Sequence, residues 1–136
     1  VRIPVVVNGD IDGPRSARSA LAASGASAVM AGRAIQGRPW LLRDIAAGLA
    51  GRTLPPTPRG AELVAMVSGH YEAMLGFYGR ELGRRVARKH LGWYVEAAGG
   101  PPALRAALLS EPEPARVLAL LAQALDPSPD DGRRAA

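Results

Sequence analysis

Residues 3–11 read IPVVVNGDI and residues 24–36 read SGASAVMAGRAIQ. Ile3 to Val7 is an apolar, β-branched run interrupted only by Pro4, and it stops at Asn8-Gly9-Asp10. Ala28 to Ala31 is a second short run, ending at Gly32-Arg33. Short apolar runs without alternation are typical of parallel strands buried on both faces. Between the two runs, Pro14 to Ser24 carries helical spacing through Ala17, Ala20 and Leu21, and Ser24-Gly25 supplies a stop. Pro39 to Leu49 returns to that spacing, with Trp40, Leu41, Ile45 and Leu49 on one side. Strand, helix, strand, helix predicts an α/β unit over residues 1–50, a parallel sheet with covering helices. Two strands leave open edges and unpartnered helix faces, so this unit is expected to end something larger or to pair with another chain. The chain opens on Val1 with no charged leader or cleavage site, and an upstream portion is expected.

Residues 51–60, GRTLPPTPRG, read as a linker. Beyond it the period is helical throughout. Leu63, Met66, Val67, Met74 and Phe77 mark one amphipathic helix, interrupted at Tyr78-Gly79 or at Gly83. Leu82, Val86, His90, Trp93 and Ala97 share a face of the next, which stops at Gly99-Gly100-Pro101-Pro102. Ala103 to Ser110 and Ala115 to Leu125 follow as shorter helices, so residues 61–125 are expected to form a small all-α antiparallel bundle. The tail, residues 126–136, has nothing to bury and is expected to be disordered.

Composition narrows the chemistry. With 48% apolar residues in 136, the chain can build a core. It has no cysteine, which excludes a disulfide, a Cys-based zinc site and a thiol nucleophile within these residues. No apolar run is long enough to cross a bilayer. The net charge of +5 is spread along the chain, +4 over residues 1–58 and +2 over residues 59–125 against −1 in the tail. As a total it supports nucleic-acid binding only weakly.

In parallel α/β folds the working residues lie at the carboxyl ends of strands, and in eight-stranded barrels the loops after the last two strands commonly bind phosphate. Asn8-Gly9-Asp10 and Gly32-Arg33 occupy two successive strand ends. Glycine lets backbone N–H groups approach phosphate oxygens, and Arg33 can supply a paired charge. Glycines also serve simply to turn a chain after a strand; repetition at both ends favours the phosphate.

Taken together, IPVVVNGDI, SGASAVMAGRAIQGRPWLLRDI and FYGRELGRRVARKHLGWY resemble the C-terminal portion of the bacterial tRNA-dihydrouridine synthases, in particular the B-type branch. The likeness runs from Val1 to about Gly99 and keeps the family's motif order. It implies the last two βα units of a TIM-type flavin barrel, followed by a helical domain that binds tRNA. By the same resemblance Asn8, Gly9, Asp10, Gly32 and Arg33 would hold the phosphate and ribityl end of FMN, with NADPH as reductant. Two anions repel, so for Asp10 a ribityl hydroxyl contact, orientation of the loop or an Asx-turn are the open roles. The family reduces uridine in tRNA, using a cysteine, a lysine and a histidine on earlier barrel elements. None of these falls in this sequence, which is therefore expected to carry no catalytic residue, to be inactive alone and to require the N-terminal barrel portion of the same protein. A cytoplasmic location is expected.

The helix around Arg84 bears on that partner. At ~100° per residue, Arg84, Arg85, Arg88 and Lys89 fall within an arc of about 140°, opposite Leu82, Val86, His90, Trp93 and Ala97. Four outward cations with acids only near the helix ends, Glu81 and Glu96, are expected to meet tRNA phosphates. An ordinary solvated face is the alternative. His90 and His70 read as core histidines, not as a catalytic base or metal ligands. Trp93 and Tyr94 read as packing residues, with base stacking as the alternative. Arg38 and Trp40 are placed at the mouth where a flipped uridine would enter. Two other readings stay open: a free-standing helical RNA-binding module, and another phosphate-binding barrel enzyme whose helices serve only oligomerisation.

Overall fold

The computed structural model describes residues 2–126. It pairs Val6–Asn8 (β1) with Ala28–Met30 (β2) as parallel strands, Val6 opposite Ala28 and Asn8 opposite Met30. Helices Pro14–Ser24 (α1) and Leu41–Leu49 (α2) accompany them, and a 3-10 turn at Arg33–Ile35 follows β2. The remainder is helical: Gly60–Tyr78 (α3), Arg80–Ala97 (α4), Pro102–Ser110 (α5) and Pro114–Leu125 (α6). The chain is thus mostly helical with two short parallel strands, and it divides into two compact units, Val1–Thr57 and Pro58–Ala136. The expected disordered tail lies, from residue 127 onward, outside the described residues.

The first unit is organised by Ile11, Ala17, Leu41 and Ile45, all buried, with Val29, Ala31 and Ile35 packed against them. Pro14 opens α1 with its φ already helical. The backbone N–H groups of Asp12 and Gly13 donate to Ser16 Oγ at 3.0 and 3.1 Å, which closes the turn entering that helix. Gly25 ends it in a left-handed conformation, its N–H returning to the Leu21 carbonyl at 2.9 Å. α1 and α2 pack closely at Gly48, where an added Cβ would overlap Pro14, and Arg18 Nη2 donates to the Gly48 carbonyl at 2.6 Å.

Two expectations for this unit need correction. β1 is shorter than its apolar run: Pro4 cannot donate to a ladder, and although the Val5 carbonyl accepts from the Ser27 and Ala28 N–H groups, regular pairing begins at Val6. The strands are also not buried on both faces: Val6 is 57% exposed and Met30 49%. The described sheet has two strands, so neither outer edge has a neighbour to cover it. An apolar groove of about 360 Å³, lined by Leu21, Val29, Leu42, Ile45 and Leu49, lies open beside β2.

In the second unit Val67, Tyr71, Val95, Leu108, Val117 and Leu121 are the largest fully buried side chains, and α3 packs on α4 and α6. Proline at the first turn of α5 and of α6 starts both helices where its missing N–H costs nothing. The chain reverses between α3 and α4 at Gly79, whose φ of 77° a side chain would resist. Phe77, expected on the buried face of α3, is 83% exposed beside that turn, and Tyr71 takes the core position instead.

The larger correction concerns α4. Leu82 is 50% exposed and Ala97 is exposed, while Val86, His90 and Trp93 are only half-buried. The buried face is Gly83, Ala87, Leu91, Tyr94 and Val95, a rotation of about 100°, one residue, from the face marked by hydropathy. The cause is the small residue at Gly83: a Cβ there would stand 2.6 Å from the Met74 carbonyl oxygen and 2.9 Å from Leu75 Cα. Backbones approach at that point because no side chain separates them.

Gly83→Ala is therefore expected to destabilise the protein although alanine favours helix by about 1 kcal/mol. Overpacking of this kind costs roughly 1–3 kcal/mol. Gly69→Ala and Gly76→Ala, in α3 with nothing within 4 Å of the new Cβ, are expected to hold or raise stability. Denaturant midpoints of the three variants check the contrast.

Candidate functional site

β1 and β2 run parallel and adjacent, so their carboxyl ends and the loops that follow lie side by side. An open cleft of about 630 Å³ forms there, and Asn8, Gly9, Asp10, Gly32, Arg33 and Arg38 all line it. The strand-end residues singled out above are thus brought together. Arg38, assigned above to the RNA, joins them, whereas Trp40 sits half-buried at the start of α2 and does not line the cleft. Asp12 also lines it. Its only sequence signal was adjacency to the NGD turn.

The loop after β1 has an unusual backbone. Gly9 has φ 151° and Asp10, a non-glycine residue, φ 44°. Aspartate tolerates the left-handed region better than most residues. A Cβ at Gly9 or at Gly32 would meet nothing within 4 Å, so the space beside both glycine backbones is open. Arg33 Nη2 lies 3.4 Å from Asp10 Oδ1, joining the two loops by an ion pair. Both side chains are almost fully exposed, at 88% and 95%, so the pair is weak and Arg33 can exchange it for an anionic ligand. The Ser16 hydroxyl, 2.7 Å from Asp12 Oδ1, donates to it and holds that carboxyl below the usual range. The cleft thus sets two guanidiniums, Arg33 and Arg38, among two carboxylates. Its open backbone and exposed Arg33 side chain could hold an anionic group such as a phosphate.

The basic residues of α4 divide. Arg84 is turned inward: its Nη1 donates to the Pro112 carbonyl at 2.7 Å, its Nη2 lies 3.4 Å from Glu81, and its side chain is 20% exposed. This corrects the expectation of four outward cations, and the rotation of α4 is the reason. Arg85, Arg88 and Lys89 are exposed, and among the described residues none has a carboxylate partner within 4.0 Å.

Next to them α3 and α4 bring four rings together. His70 Nδ1 and the Tyr94 hydroxyl are 3.0 Å apart, with Tyr94 buried. The His70 and His90 rings are 5.5 Å apart, and His90 stands edge-to-face with Trp93 at 5.1 Å. His70 and His90 are half-buried, nearer the surface than a core reading implies. Among the described residues no group of three His, Cys, Asp or Glu side chains is placed to hold a metal ion.

Burial, then the charges of His70 and Lys89, lower the His90 pKa below its ordinary 6.5. The unfolded chain therefore takes up this proton first on acidification. Stability from this group is complete above about pH 6.5 and is lost as pH falls through the lower, folded-state value. His90→Gln is expected to flatten the acid limb of a stability-versus-pH curve measured by urea unfolding between pH 7 and pH 5.

Comparison with known proteins adds an independent finding. The family model described as dihydrouridine synthase (Dus) matches residues 1–126. A probable tRNA-dihydrouridine synthase of Rhodobacter capsulatus is 56% identical over 124 residues, covering 91% of this chain and 38% of its own length. The tRNA-dihydrouridine synthases B of Xanthomonas axonopodis pv. citri and Serratia marcescens are 53% and 48% identical over 97 residues, 71% of this chain. The chain spans 29% of the Xanthomonas relative and 38% of the Rhodobacter one. With the family matched across nearly all of its residues, the chain belongs to the dihydrouridine synthases, in their bacterial B-type branch.

Proposed function

We propose that this chain is the C-terminal part of a synthase that reduces uridine to 5,6-dihydrouridine in tRNA. In this reading residues 1–50 are the last two βα units of a TIM-type barrel, residues 51–60 a linker and residues 61–125 the helical tRNA-binding domain. The observation that carries it is the convergence of Gly9, Gly32 and Arg33 on one cleft at the ends of two adjacent parallel strands, in a chain of this family. The open strand edges and the apolar groove beside β2 support a requirement for the N-terminal barrel portion, as does the greater length of the relatives. The cytoplasm, where tRNA is processed, is the proposed location.

The cleft fits the phosphate and ribityl end of FMN, which when bound supplies the hydride to the uracil ring, with NADPH as reductant. Arg33 would hold the phosphate, and the open space beside the Gly9 and Gly32 backbones would admit it. Asn8 offers an amide to the ribityl hydroxyls. Asp10 pairs with Arg33 across the two loops until the phosphate takes its place. No residue here delivers a proton to substrate; with no cysteine and no lysine or histidine in the first 57 residues, the chain positions cofactor and RNA. Arg85, Arg88 and Lys89 meet tRNA phosphates, while Arg84 supports their helix from within.

In the complete synthase, Arg33→Ala is expected to weaken FMN retention roughly tenfold to hundredfold, the range of a lost charged hydrogen bond. Bound flavin absorbance reads this directly. Reversing Arg85 and Lys89 to glutamate is expected to weaken tRNA binding and to flatten its salt dependence, with flavin content unchanged. Unaltered tRNA affinity would remove the assignment of that face. The isolated 136-residue chain is expected to turn over no uridine, and measurable turnover would overturn the reading of it as a dependent part.

A further inference from the structure

The rotation of α4 separates two adjacent aromatic residues that the sequence could not tell apart. Tyr94 is 4% exposed, its hydroxyl engaged with His70, and belongs to the core. Trp93 stays at the surface, half-buried, with His90 edge-to-face against it. The exposed Lys89 extends over the indole, its Nζ 6.0 Å from the ring centroid, the outer limit of a useful cation–π contact. We propose that Trp93 and Lys89 form a stacking site for one unpaired RNA base. The base lies on the indole face, and its phosphate takes the ammonium.

Three features argue for this use. An ammonium at such a distance on an exposed side chain is weakly held, so a phosphate can draw it outward and uncover the ring. A base then replaces that contact with a larger aromatic one, which every base can make because every base has a π-face. The edge-to-face His90 and the His70 behind it hold the indole in one orientation, so little freedom is lost when a base docks. Arg85 and Arg88, exposed on the same helix and without carboxylate partners among the described residues, add positive potential for the flanking phosphates.

The inference rests on the proposal that this face meets tRNA, and its test separates the two. In the complete synthase, Trp93→Leu is expected to weaken binding of a tRNA transcript about 5- to 100-fold. The slope of affinity against salt should be unchanged, since no charge is lost, and Trp93→Phe should restore affinity to within about threefold. Lys89→Gln should instead lower the salt slope by about one ion. A second measurement leaves the ring in place: 5-fluorotryptophan labelling, with the Trp93 resonance assigned from Trp93→Phe. Addition of tRNA is expected to move that resonance by the ring current of a stacked base. If the Arg85 and Lys89 reversals weaken binding but Trp93→Leu does not and the resonance stays still, the stacking site is overturned while the RNA face stands. Should the charge reversals also leave affinity unaltered, both proposals fail together.

Discussion

The close approach of α3 and α4 at Gly83 governs the second unit. Two helical backbones come within contact there because glycine leaves no side chain between them, and Ala87, completely buried one turn on, continues the seam. Once that face is inward, the rest of α4 has little freedom. Leu91, Tyr94 and Val95 enter the core, Arg84 is carried to the Pro112 carbonyl, and Arg85, Arg88 and Lys89 remain in solvent. His90 and Trp93 reach the boundary, where one side of each ring can pack and the other can meet a ligand. The placement of every charge and ring discussed for this helix thus follows from a side chain that is absent.

Arg84 shows what such an arrangement costs locally. Among the described residues its Nε is buried without a hydrogen-bond partner, as is the hydroxyl of Tyr71. Burial raises the Tyr71 pKa, with the Arg84 charge acting in the opposite direction, so the two groups influence one another inside the same core. An unpaired buried polar atom costs about 1–3 kcal/mol. Two of them in one small helical unit mark it as held by apolar packing around Val67, Val95 and Leu121 more than by polar satisfaction. In the first unit the dominant device differs. Left-handed backbone at Gly9 and Asp10 turns the chain sharply after β1, and the ion pair to Arg33 ties this turn to the one after β2. Because that pair is solvated, it orients the cleft without locking it.

Much of the first unit was legible because its signals are local. Proline at the start of α1, glycine at its end and apolar runs closed by NGD and GR each act within a few residues. The length of β1 was not legible, and although open edges were expected of two strands, which strand residues stand exposed depends on neighbours that the sequence does not name. For the cleft, Asn8, Gly9, Asp10, Gly32 and Arg33 were found from strand-end chemistry and from the resemblance. Asp12 carried too weak a signal beside them, and Arg38 enters the same cleft, which spacing could not show.

By itself the sequence determined the order of elements, the break between an α/β part and an all-α part, and the family. These depend on residue type, short-range spacing and motif order. Only the tertiary structure decided which way α4 faces, that Arg84 is an internal tether, and that Tyr94 is core while Trp93 is surface. Hydropathy marks residues by the apolar area they could bury, and it gives glycine and alanine little weight. Helices choose their closest contact by the volume that is missing, so the face without bulk turned inward and the bulkier Leu82 was left in water.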